Sequence, residues 1–286
     1  MARVTISIVS HGHRTMVEAL LGDLARQTLA PALEVVLTLN VAEAPPRLSC
    51  WHGLSLRIIR NDTPRGFGAN HNSALLGVET PWVIVMNPDI RIKDDTLLER
   101  LVGRKSQDRL GVITPRIENS HGQLEDAVRL NLDPISLLGR RVFQRTKLAG
   151  PALPDGRFRW IAGMFMALPS TAWKSVNGFD ERYFLYCEDY DLCARLATQG
   201  YSIVVDDKLS AIHDAQRSSH RSLKYLRWHV TSILKVWSRP HFWQIWALDL
   251  LCWWHRLSSR QPVKIKDSHS NSRESDHNNN SLETDL

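Results

Sequence analysis

The hydrophobic positions in the first third of the chain fall into short runs that alternate with helical patterns. Four runs are apolar nearly throughout and rich in β-branched residues, as expected of strands buried on both faces: residues 4–10, 33–40, 56–60 and 82–86. Between the first two runs, apolar side chains recur at helical spacing, at Met16, Leu20, Leu21 and Leu24. This alternation predicts an α/β fold with a doubly wound, mostly parallel sheet, which binds ligands at the carboxyl ends of its strands.

The pattern is less regular in the second half of the chain. Residues 127–156 carry several prolines and are interpreted as a partly mobile connection. We predict strands over residues 160–168 and 201–205, and a helix over residues 187–198. Residues 223–257 have helical periodicity interrupted at Pro240, and the polar tail beyond Lys266 is expected to be disordered.

Composition changes this picture mainly at the carboxyl-terminal end. Hydrophobic residues make up 43% and charged residues 23% of the 286 residues, as in an ordinary globular protein. The net charge of +6 is uneven, because residues 215–266 contain ten Lys and Arg but one acid. A basic stretch serves nucleic acid, an anionic membrane or phosphorylated substrates equally well. The four cysteines are scattered, which favours a reduced, cytosolic chain.

Asn87, Pro88 and Asp89 directly follow the fourth apolar run. A carboxylate at the end of a buried parallel strand faces the ligand crevice, where it can hold a divalent cation that bridges two phosphates. Asn-Pro-Asp is also good turn chemistry, so the tripeptide alone leaves both interpretations open.

A second acidic group, Glu188, Asp189 and Asp191, lies at the start of the helix predicted over residues 187–198. Acids at this position cap a helix and gain from its dipole. In the alternative interpretation, one carboxylate is a general base that removes a proton from an acceptor hydroxyl, and another holds the backbone or an acceptor group in place.

Two further segments are candidates for ligand contact. His213 follows a predicted strand and is either an ordinary histidine or a metal ligand, since imidazole suits Mn²⁺. Residues 65–72 form a glycine-containing loop that leads into a helix predicted over residues 71–78. The loop is neither a P-loop nor a dinucleotide fingerprint, but its glycines would allow close approach of the backbone to a nucleotide.

Taken together and in order, these segments resemble inverting GT-A-fold glycosyltransferases of the family 2 type, in particular bacterial rhamnosyltransferases of O-antigen and surface-polysaccharide assembly. The resemblance spans residues 4–230, and each segment is weak alone while the ordered set is specific. The matching segments are residues 8–12 (IVSHG), 66–72 (GFGANHN), 87–89 (NPD), 160–166 (WIAGMFM), and 177–180 (NGFD) with 183–193 (YFLYCEDYDLC).

The resemblance implies roles for individual residues. Asp89 would be the metal-binding acid of a shortened DxD-type motif and His213 would complete the site of a divalent cation, Mg²⁺ or Mn²⁺. Asp189 would be the catalytic base, with Glu188 beside it. Substrate contacts are predicted from Ser10, His11, Asn40, Arg65, Gly66, Phe67, Gly68, Asn70, Asn72, Asn87, Trp160, Gly163 and Asp191.

One position departs from the family pattern. The family usually places an acid at the end of the second strand, where it holds the nucleotide base and its ribose. This chain has Asn40 there and Glu43 three residues later. Either residue is a candidate to replace the acid.

The resemblance also implies an activity and a domain plan. The expected reaction is one in-line displacement, with inversion, that transfers rhamnose from dTDP-rhamnose, or another sugar from a donor such as UDP-galactofuranose. The acceptor would be a lipid-diphosphate-linked glycan at the cytoplasmic face of the inner membrane. We predict a GT-A domain over residues 1–222, divided near residue 115 into nucleotide-sugar and acceptor halves, a helical segment over 223–260 and a disordered tail over 261–286.

The helical segment over 223–260 contains six tryptophans interleaved with basic residues. This combination is typical of a helix that lies in a bilayer interface, so we predict peripheral membrane contact. The alternative is a helix packed on the catalytic domain, which would also use tryptophan.

Three other functions are weaker alternatives. A nucleotidyltransferase would need a basic, glycine-rich triphosphate loop after the first strand, where this chain has His11-Gly12-His13. A non-catalytic module that binds a sugar or a lipid carrier would not need Asp89, Glu188, Asp189 and His213 together. The basic segment carries no nucleic-acid-binding motif, so we expect no nucleic-acid partner.

Overall fold

The computed structural model describes residues 3–104, 109–132, 157–213 and 223–259. The predicted tail and most of the predicted connection over 127–156 lie outside these residues. The strands are β1 (Val4–Ser10), β2 (Leu33–Leu39), β3 (Ser55–Arg60), β4 (Trp82–Met86), β5 (Ile90–Arg91), β6 (Leu110–Glu118), β7 (Val128–Leu130), β8 (Arg159–Ile161), β9 (Phe165–Pro169) and β10 (Ser202–His213). The helices are α1 (Arg14–Ala25), α2 (Phe67–Ala74), α3 (Leu97–Val102), α4 (Ser170–Ser175), α5 (Glu188–Thr198), α6 (Leu223–Trp237) and α7 (Pro240–Ser259).

Eight of the described strands form one mixed sheet in the order β3-β2-β1-β4-β9-β6-β10-β5. The pairs β3–β2, β2–β1, β1–β4 and β6–β10 are parallel, and β9 runs antiparallel to β4 and β6. Strands β7 and β8 form a separate antiparallel pair. The predicted α/β fold with a mostly parallel sheet is confirmed.

Two hydrophobic clusters pack on the two faces of this sheet. One contains side chains of α1 and α3 packed on strands β1, β2 and β4, including Leu20, Leu24 and Leu98. The other contains side chains of α4, α5 and the carboxyl-terminal helices, including Trp173, Tyr190 and Phe242. Strand β4 contributes alternate residues to both clusters, Ile84 and Met86 to the first and Val83 and Val85 to the second, which explains its continuous hydrophobic run. Strand β1 contributes Val4, Ile6 and Ile8 to the first cluster, and its other face buries Thr5 and Ser7.

The structure corrects several predicted boundaries. The strand predicted over 160–168 is two strands, β8 and β9, because the chain turns at Gly163 and Met164 and moves from the small sheet to the large one. The strand predicted over 201–205 continues to His213, because a register shift between Asp206 and Ser210 absorbs the polar residues there. The helix predicted over 71–78 is α2, which begins earlier, at Phe67. Part of the predicted connection over 127–156 is strand β7.

The carboxyl-terminal helices α6 and α7 meet near Pro240, where the sequence predicts a break. Their inner faces contribute Val236, Phe242 and Ile245 to the second hydrophobic cluster. Among the helices within the described residues, none combines the length and the apolar character that crossing a membrane requires.

Candidate active site

Polar side chains at the carboxyl ends of β2 and β3 form a network of neutral amides. The Asn40 side-chain oxygen accepts hydrogen bonds from the Arg65 amide and from Asn61, both at 2.8 Å. Asn61 also donates to Asn70 at 2.7 Å, and Asn70 in turn donates to the Arg65 carbonyl at 3.1 Å. The network fixes the backbone at Arg65, immediately before the glycine-containing loop, so Asn40 and Asn70 act through the loop that they hold. Asn61 is absent from the predicted site residues, although it too follows a strand, β3.

The loop after β1 lies beside this network. The His11 ring nitrogen Nδ1 is 3.3 Å from the Asn40 amide nitrogen, and Ser10 accepts a hydrogen bond from the His13 amide at 3.2 Å. Glu43 accepts a hydrogen bond from the Gly12 amide at 3.1 Å through one carboxylate oxygen. Its other oxygen is buried and has no hydrogen-bond partner. Residues predicted at the nucleotide end are therefore brought together by the ends of β1 and β2.

Three of the predicted glycines mark close contacts between protein segments. A Cβ added to Gly66 would lie 2.7 Å from the Phe184 carbonyl oxygen, and one added to Gly68 would lie 2.6 Å from Cβ of Phe179. A Cβ added to Gly163 would lie 3.0 Å from the Phe67 ring. The predicted close approach of the Gly66 and Gly68 backbone to a nucleotide stays a prediction. In the structure, the lack of a side chain at these glycines lets α2 pack directly on the segments that contact or lead to Asp189.

Asp89 and His213 are brought together by strand β5. His213 pairs with Ile90, the residue after Asp89, in the antiparallel pair β5–β10. The His213 Nε2 atom is 3.3 Å from one Asp89 carboxylate oxygen, and the other Asp89 oxygen is buried without a hydrogen-bond partner. An orphaned carboxylate oxygen beside an imidazole nitrogen fits a divalent cation. No cluster of three or more His, Cys, Asp and Glu that could hold a metal occurs in the described part of the chain, so substrate phosphates and water would supply the remaining ligands.

Asp189 is held by backbone amides at the start of α5. One carboxylate oxygen accepts a hydrogen bond from the Gly163 amide and the other from the Tyr190 amide, each at 2.9 Å. Burial raises the pKa of the Asp189 carboxyl, while the positive charge of Arg129 and these amides act in the opposite direction. A carboxylate whose pKa is raised is a better proton acceptor than an ordinary surface aspartate.

Glu188 lies beside Asp189 and is buried, at 5% exposure. Burial and the negative charge of Asp189 raise the pKa of Glu188 well above its usual value, and one of its carboxylate oxygens has no hydrogen-bond partner. The backbone just before it is strained, because Tyr186 and Cys187 both have positive φ angles, 72° and 66°. Positive φ at consecutive non-glycine residues is costly and concentrates at functional sites.

A short loop joins the turn that carries Asp89 to Asp189. The Asn87 amide donates to the Met164 carbonyl at 2.9 Å, and the adjacent Gly163 amide donates to Asp189. Asn87 and Gly163, both predicted site residues, therefore link the turn that carries Asp89 to the helix that carries Asp189. The arrangement can stabilise negative charge on one side and accept a proton on the other.

Two basic residues near Asp189 were missed by the sequence analysis. Arg129 lies on β7 opposite Trp160, and its guanidinium is 5.1 Å from the centre of the Trp160 ring. His229 of α6 packs edge-on against the Tyr186 ring at 5.2 Å, and burial followed by the nearby Arg129 charge lowers the pKa of His229. The alternating Val128-Arg129-Leu130 pattern was the available signal for a strand carrying Arg129.

Three predicted substrate-binding residues make their visible contacts with the protein. Asn72 bonds to both backbone groups of Phe179, at 2.8 and 2.9 Å. The Trp160 indole donates to the Leu130 carbonyl at 2.9 Å. Asp191 is fully buried in an ion pair with Arg195 at 2.7 Å. Their contact with substrate stays a prediction.

Comparisons with known proteins show which family this chain resembles. The sequence profile of the family described as "Glycosyltransferase like family 2" matches residues 2–231. The chain is 29% identical over 251 residues to the rhamnosyltransferase WbbL of Escherichia coli (strain K12), a match that covers 82% of this chain and 93% of that protein. It is 25% identical over 228 residues to the N-acetylglucosaminyl-diphospho-decaprenol L-rhamnosyltransferase of Mycobacterium tuberculosis (strain CDC 1551 / Oshkosh), covering 71% and 73%.

Solved structures show the same fold. The mannosyltransferase PcManGT from Pyrobaculum calidifontis, in complex with GDP-Man and Mn²⁺, aligns with a TM-score of 0.56 at 15% identity, covering 91% of this chain and 81% of that one. S. aureus TarS 1–349, in complex with UDP-GlcNAc, aligns with a TM-score of 0.57 at 14% identity, covering 89% and 73%.

Proposed function

The chain belongs to the glycosyltransferase-like family 2, and from that premise we propose that it transfers a hexosyl group from a nucleotide-sugar donor, with inversion, and that Asp189 is the base. The observation that carries this proposal is the loop at Gly163 and Met164. It contacts Asp189 on one side and the turn carrying Asp89 on the other. A single displacement requires a proton acceptor at the attacking hydroxyl and charge stabilisation at the leaving diphosphate. Asp189 and Asp89, which lie on either side of one loop, fit these two roles.

In the proposed reaction, Asp189 accepts the proton of an acceptor hydroxyl. The hydroxyl oxygen attacks the anomeric carbon as the bond from that carbon to the donor phosphate oxygen breaks, and the nucleoside diphosphate leaves with the bonding pair. Asp89 and His213 would hold a divalent cation, Mg²⁺ or Mn²⁺, which when bound neutralises charge on the diphosphate. Because one displacement occurs, the configuration at the anomeric carbon inverts.

The proposed donor is dTDP-rhamnose and the proposed acceptor is a lipid-diphosphate-linked glycan of cell-surface polysaccharide synthesis. The support is similarity to two rhamnosyltransferases, one of which is named for an N-acetylglucosaminyl-diphospho-decaprenol substrate. UDP-galactofuranose is the competing donor. At the nucleotide end, the Asn40 side-chain oxygen already accepts a hydrogen bond from the Arg65 amide. Glu43 has one carboxylate oxygen without a hydrogen-bond partner, which favours Glu43 as the replacement for the missing acid.

A donor screen tests this function directly. Purified protein is incubated with dTDP-rhamnose, UDP-galactofuranose, UDP-GlcNAc and GDP-mannose, with and without Mn²⁺, and both release of nucleoside diphosphate and thermal stabilisation are measured. We expect dTDP-rhamnose to give the largest Mn²⁺-dependent signal, and Asp89→Ala to abolish the Mn²⁺ dependence. Thermal stabilisation by a donor, without release of nucleoside diphosphate from any of the four, would instead favour a non-catalytic binding module.

We further propose that the outer faces of α6 and α7 contact the cytoplasmic face of the inner membrane. On α6, Leu226, Val230 and Leu234 are exposed at four-residue spacing. On α7, exposed Trp243, Leu250 and Trp254 lie opposite the buried Phe242 and Ile245. Exposed apolar side chains on helices that also carry basic residues fit an anionic bilayer surface, where a lipid-linked acceptor would be found.

Vesicle co-sedimentation tests this contact. The exposed fractions of Leu251 and Trp254 are 64% and 67%, so Leu251→Ser/Trp254→Ser removes apolar surface without opening the core. We expect binding to phosphatidylglycerol-containing vesicles to fall roughly tenfold or more, since each such side chain contributes about 1.5–3 kcal/mol when buried. The matched control, Leu48→Ser/Leu76→Ser, changes two exposed leucines elsewhere, and an equal loss in both variants would contradict the proposed face.

A further inference from the structure

One stripe of α7 reaches the helix that carries the proposed base. His241, Ile245 and Asp249 are spaced four residues apart, so they lie on the same helix face. Ile245 is buried in the second hydrophobic cluster, and the two polar residues flank it. All three lie beyond residue 231, where the family match ends. The stripe is therefore a feature of this chain that the family match does not cover.

At one end of the stripe, His241 contacts Asp191. Its Nε2 atom is 3.0 Å from an Asp191 carboxylate oxygen, although the ring N–H is not aimed well enough for a hydrogen bond. Asp191 is fully buried and also receives the Arg195 guanidinium at 2.7 Å. A buried carboxylate needs such partners to remain charged, so His241 belongs to the set of groups that fix Asp191 two positions after Asp189.

At the other end, Asp249 acts through Asn131. The Asn131 amide donates to Asp249 at 3.0 Å, and the Asn131 oxygen accepts a hydrogen bond from the Tyr190 hydroxyl at 2.8 Å. Both Asn131 and Tyr190 are buried. Asp249 also accepts a hydrogen bond from the Phe158 amide at 2.7 Å, which fixes its own orientation.

These two contacts converge on the residues that follow the base. Tyr190 is connected to Asp249 through Asn131, Asp191 is in contact with His241, and the Tyr190 backbone amide donates directly to Asp189. A shift of Tyr190 would therefore move a hydrogen-bond donor that orients the Asp189 carboxylate. Small displacements of a base from its productive position are costly in rate even when substrate still binds.

We infer that α7 is a positioning helix for catalysis, in which His241 and Asp249 hold Tyr190 and Asp191 so that Asp189 meets the acceptor hydroxyl. The inference rests on the proposed function, with Asp189 as base. His241 and Asp249 act through other residues and are positioning residues. The proposed nucleotide end and the proposed metal site lie at the ends of β1, β2, β4 and β10, so we expect α7 to affect turnover and to leave donor affinity unchanged.

The test compares His241→Leu and Asp249→Leu with Gln244→Leu, which places the same side chain at an exposed position of α7. We expect kcat to fall roughly tenfold to a hundredfold in the first two variants, with the donor KM within about twofold of the wild-type value. Gln244→Leu should leave both constants unchanged. His241→Gln and Asp249→Asn keep polar groups at these positions and should recover most of the lost kcat. A parallel rise in donor KM, or an unchanged kcat, overturns the inference.

Asn131→Ala provides a variant outside α7, in case a leucine variant fails to fold. It breaks the connection between Tyr190 and Asp249 and should lower kcat with the same unchanged donor KM. Hydrogen exchange without substrate separates this inference from the proposed function. Amides at the start of α5 should exchange faster in the leucine variants than in wild type, while those of α1 stay unchanged. Unchanged exchange at α5 overturns the positioning role even if no donor supports turnover.

Discussion

The nucleotide end of the site and the segment around Asp189 satisfy their polar side chains in opposite ways. At the nucleotide end, three neutral asparagine amides bond to one another and to the backbone of Arg65. Around Asp189, two adjacent carboxyl groups have raised pKa values, and two residues with positive φ precede them. The amide network of the first region is a satisfied scaffold, whereas the second region holds buried carboxyl groups and backbone strain.

The difference indicates where the chemistry lies. A satisfied amide network positions a loop without any energetic cost that function would have to offset. Buried carboxyl groups and a strained backbone lower stability, and they persist only where the surroundings hold them in place. In this chain the surroundings include α5, the loop at Gly163 and the inner stripe of α7. Substitutions in the two regions should therefore differ in their effects on rate and on stability.

Asp189→Asn should have the largest effect, and the effect should be on turnover. The variant keeps the shape of the side chain but cannot accept the acceptor proton, so we expect kcat to fall about a thousandfold. Donor affinity, measured by titration with the nucleotide sugar, should stay near the wild-type value because the proposed donor contacts lie at the other end of the site. Asp95→Asn, at an exposed acid, is the control. Turnover of Asp189→Asn within about threefold of wild type would contradict a base role.

Features of the site that depend on neighbouring residues in the chain could be predicted from the sequence, whereas contacts between residues far apart in the chain could not. Strands β1 and β4 were predicted with their observed ends, because a strand buried on both faces leaves a continuous apolar run. The placement of Asp89 at the carboxyl end of β4 followed from the same reasoning. Its contact with His213 depends on β5, a strand of two residues that leaves no periodic signal.

The predictions were less accurate where tertiary contacts determine the local structure. Gly163 divides a continuous apolar stretch into β8 and β9, because its amide must reach Asp189. Gly66 and Gly68 match a family motif, but the structure shows that their lack of a side chain admits Phe184 and Phe179. The contacts between α7 and α5 join residues about fifty positions apart, so no local pattern reveals them.

His71, the residue after Asn70 on α2, should make the stability of the chain depend on pH. It is fully buried, bonded to Ser7 at 2.8 Å, and burial lowers its pKa to about 3. The unfolded chain binds a proton near pH 6.5, but the folded chain does not, so stability falls as the pH drops from 6.5 toward 3. Between pH 7 and pH 5 the expected loss is about 2 kcal/mol.

Urea unfolding of wild type and His71→Gln at both pH values measures this contribution. The glutamine variant is less stable overall but lacks the titrating group, so its free energy of unfolding should change less between pH 7 and pH 5. His121→Gln, at an exposed histidine, should keep the wild-type pH dependence. Equal pH dependence in wild type and His71→Gln would show that His71 is not held neutral.

Glu188→Gln should give the smallest effect. It should raise the free energy of unfolding, whereas His71→Gln lowers it. The folded-state pKa of Glu188 is raised, so its contribution to stability is present at low pH and is lost as the pH rises through that pKa. Glutamine stays neutral, so at pH 8 we expect a gain of about 1 kcal/mol in the free energy of unfolding, together with lower turnover. The gain should shrink toward pH 5, because the pH then approaches the usual pKa of glutamate in the unfolded chain and the difference between the two states becomes small.

The matched control for this predicted gain in stability is Glu18→Gln, on α1. A backbone hydrogen bond from Arg47, and the guanidinium of the same residue, hold the pKa of Glu18 below its usual value. The folded state therefore favours the charged form, and neutralising it should lower stability at pH 8. Urea unfolding of both variants at pH 5 and pH 8 measures the two signs together. If Glu188→Gln also lowers the free energy of unfolding at pH 8, then the buried Glu188 carboxyl does not destabilise the segment around Asp189. The difference drawn between this segment and the nucleotide end would then be wrong.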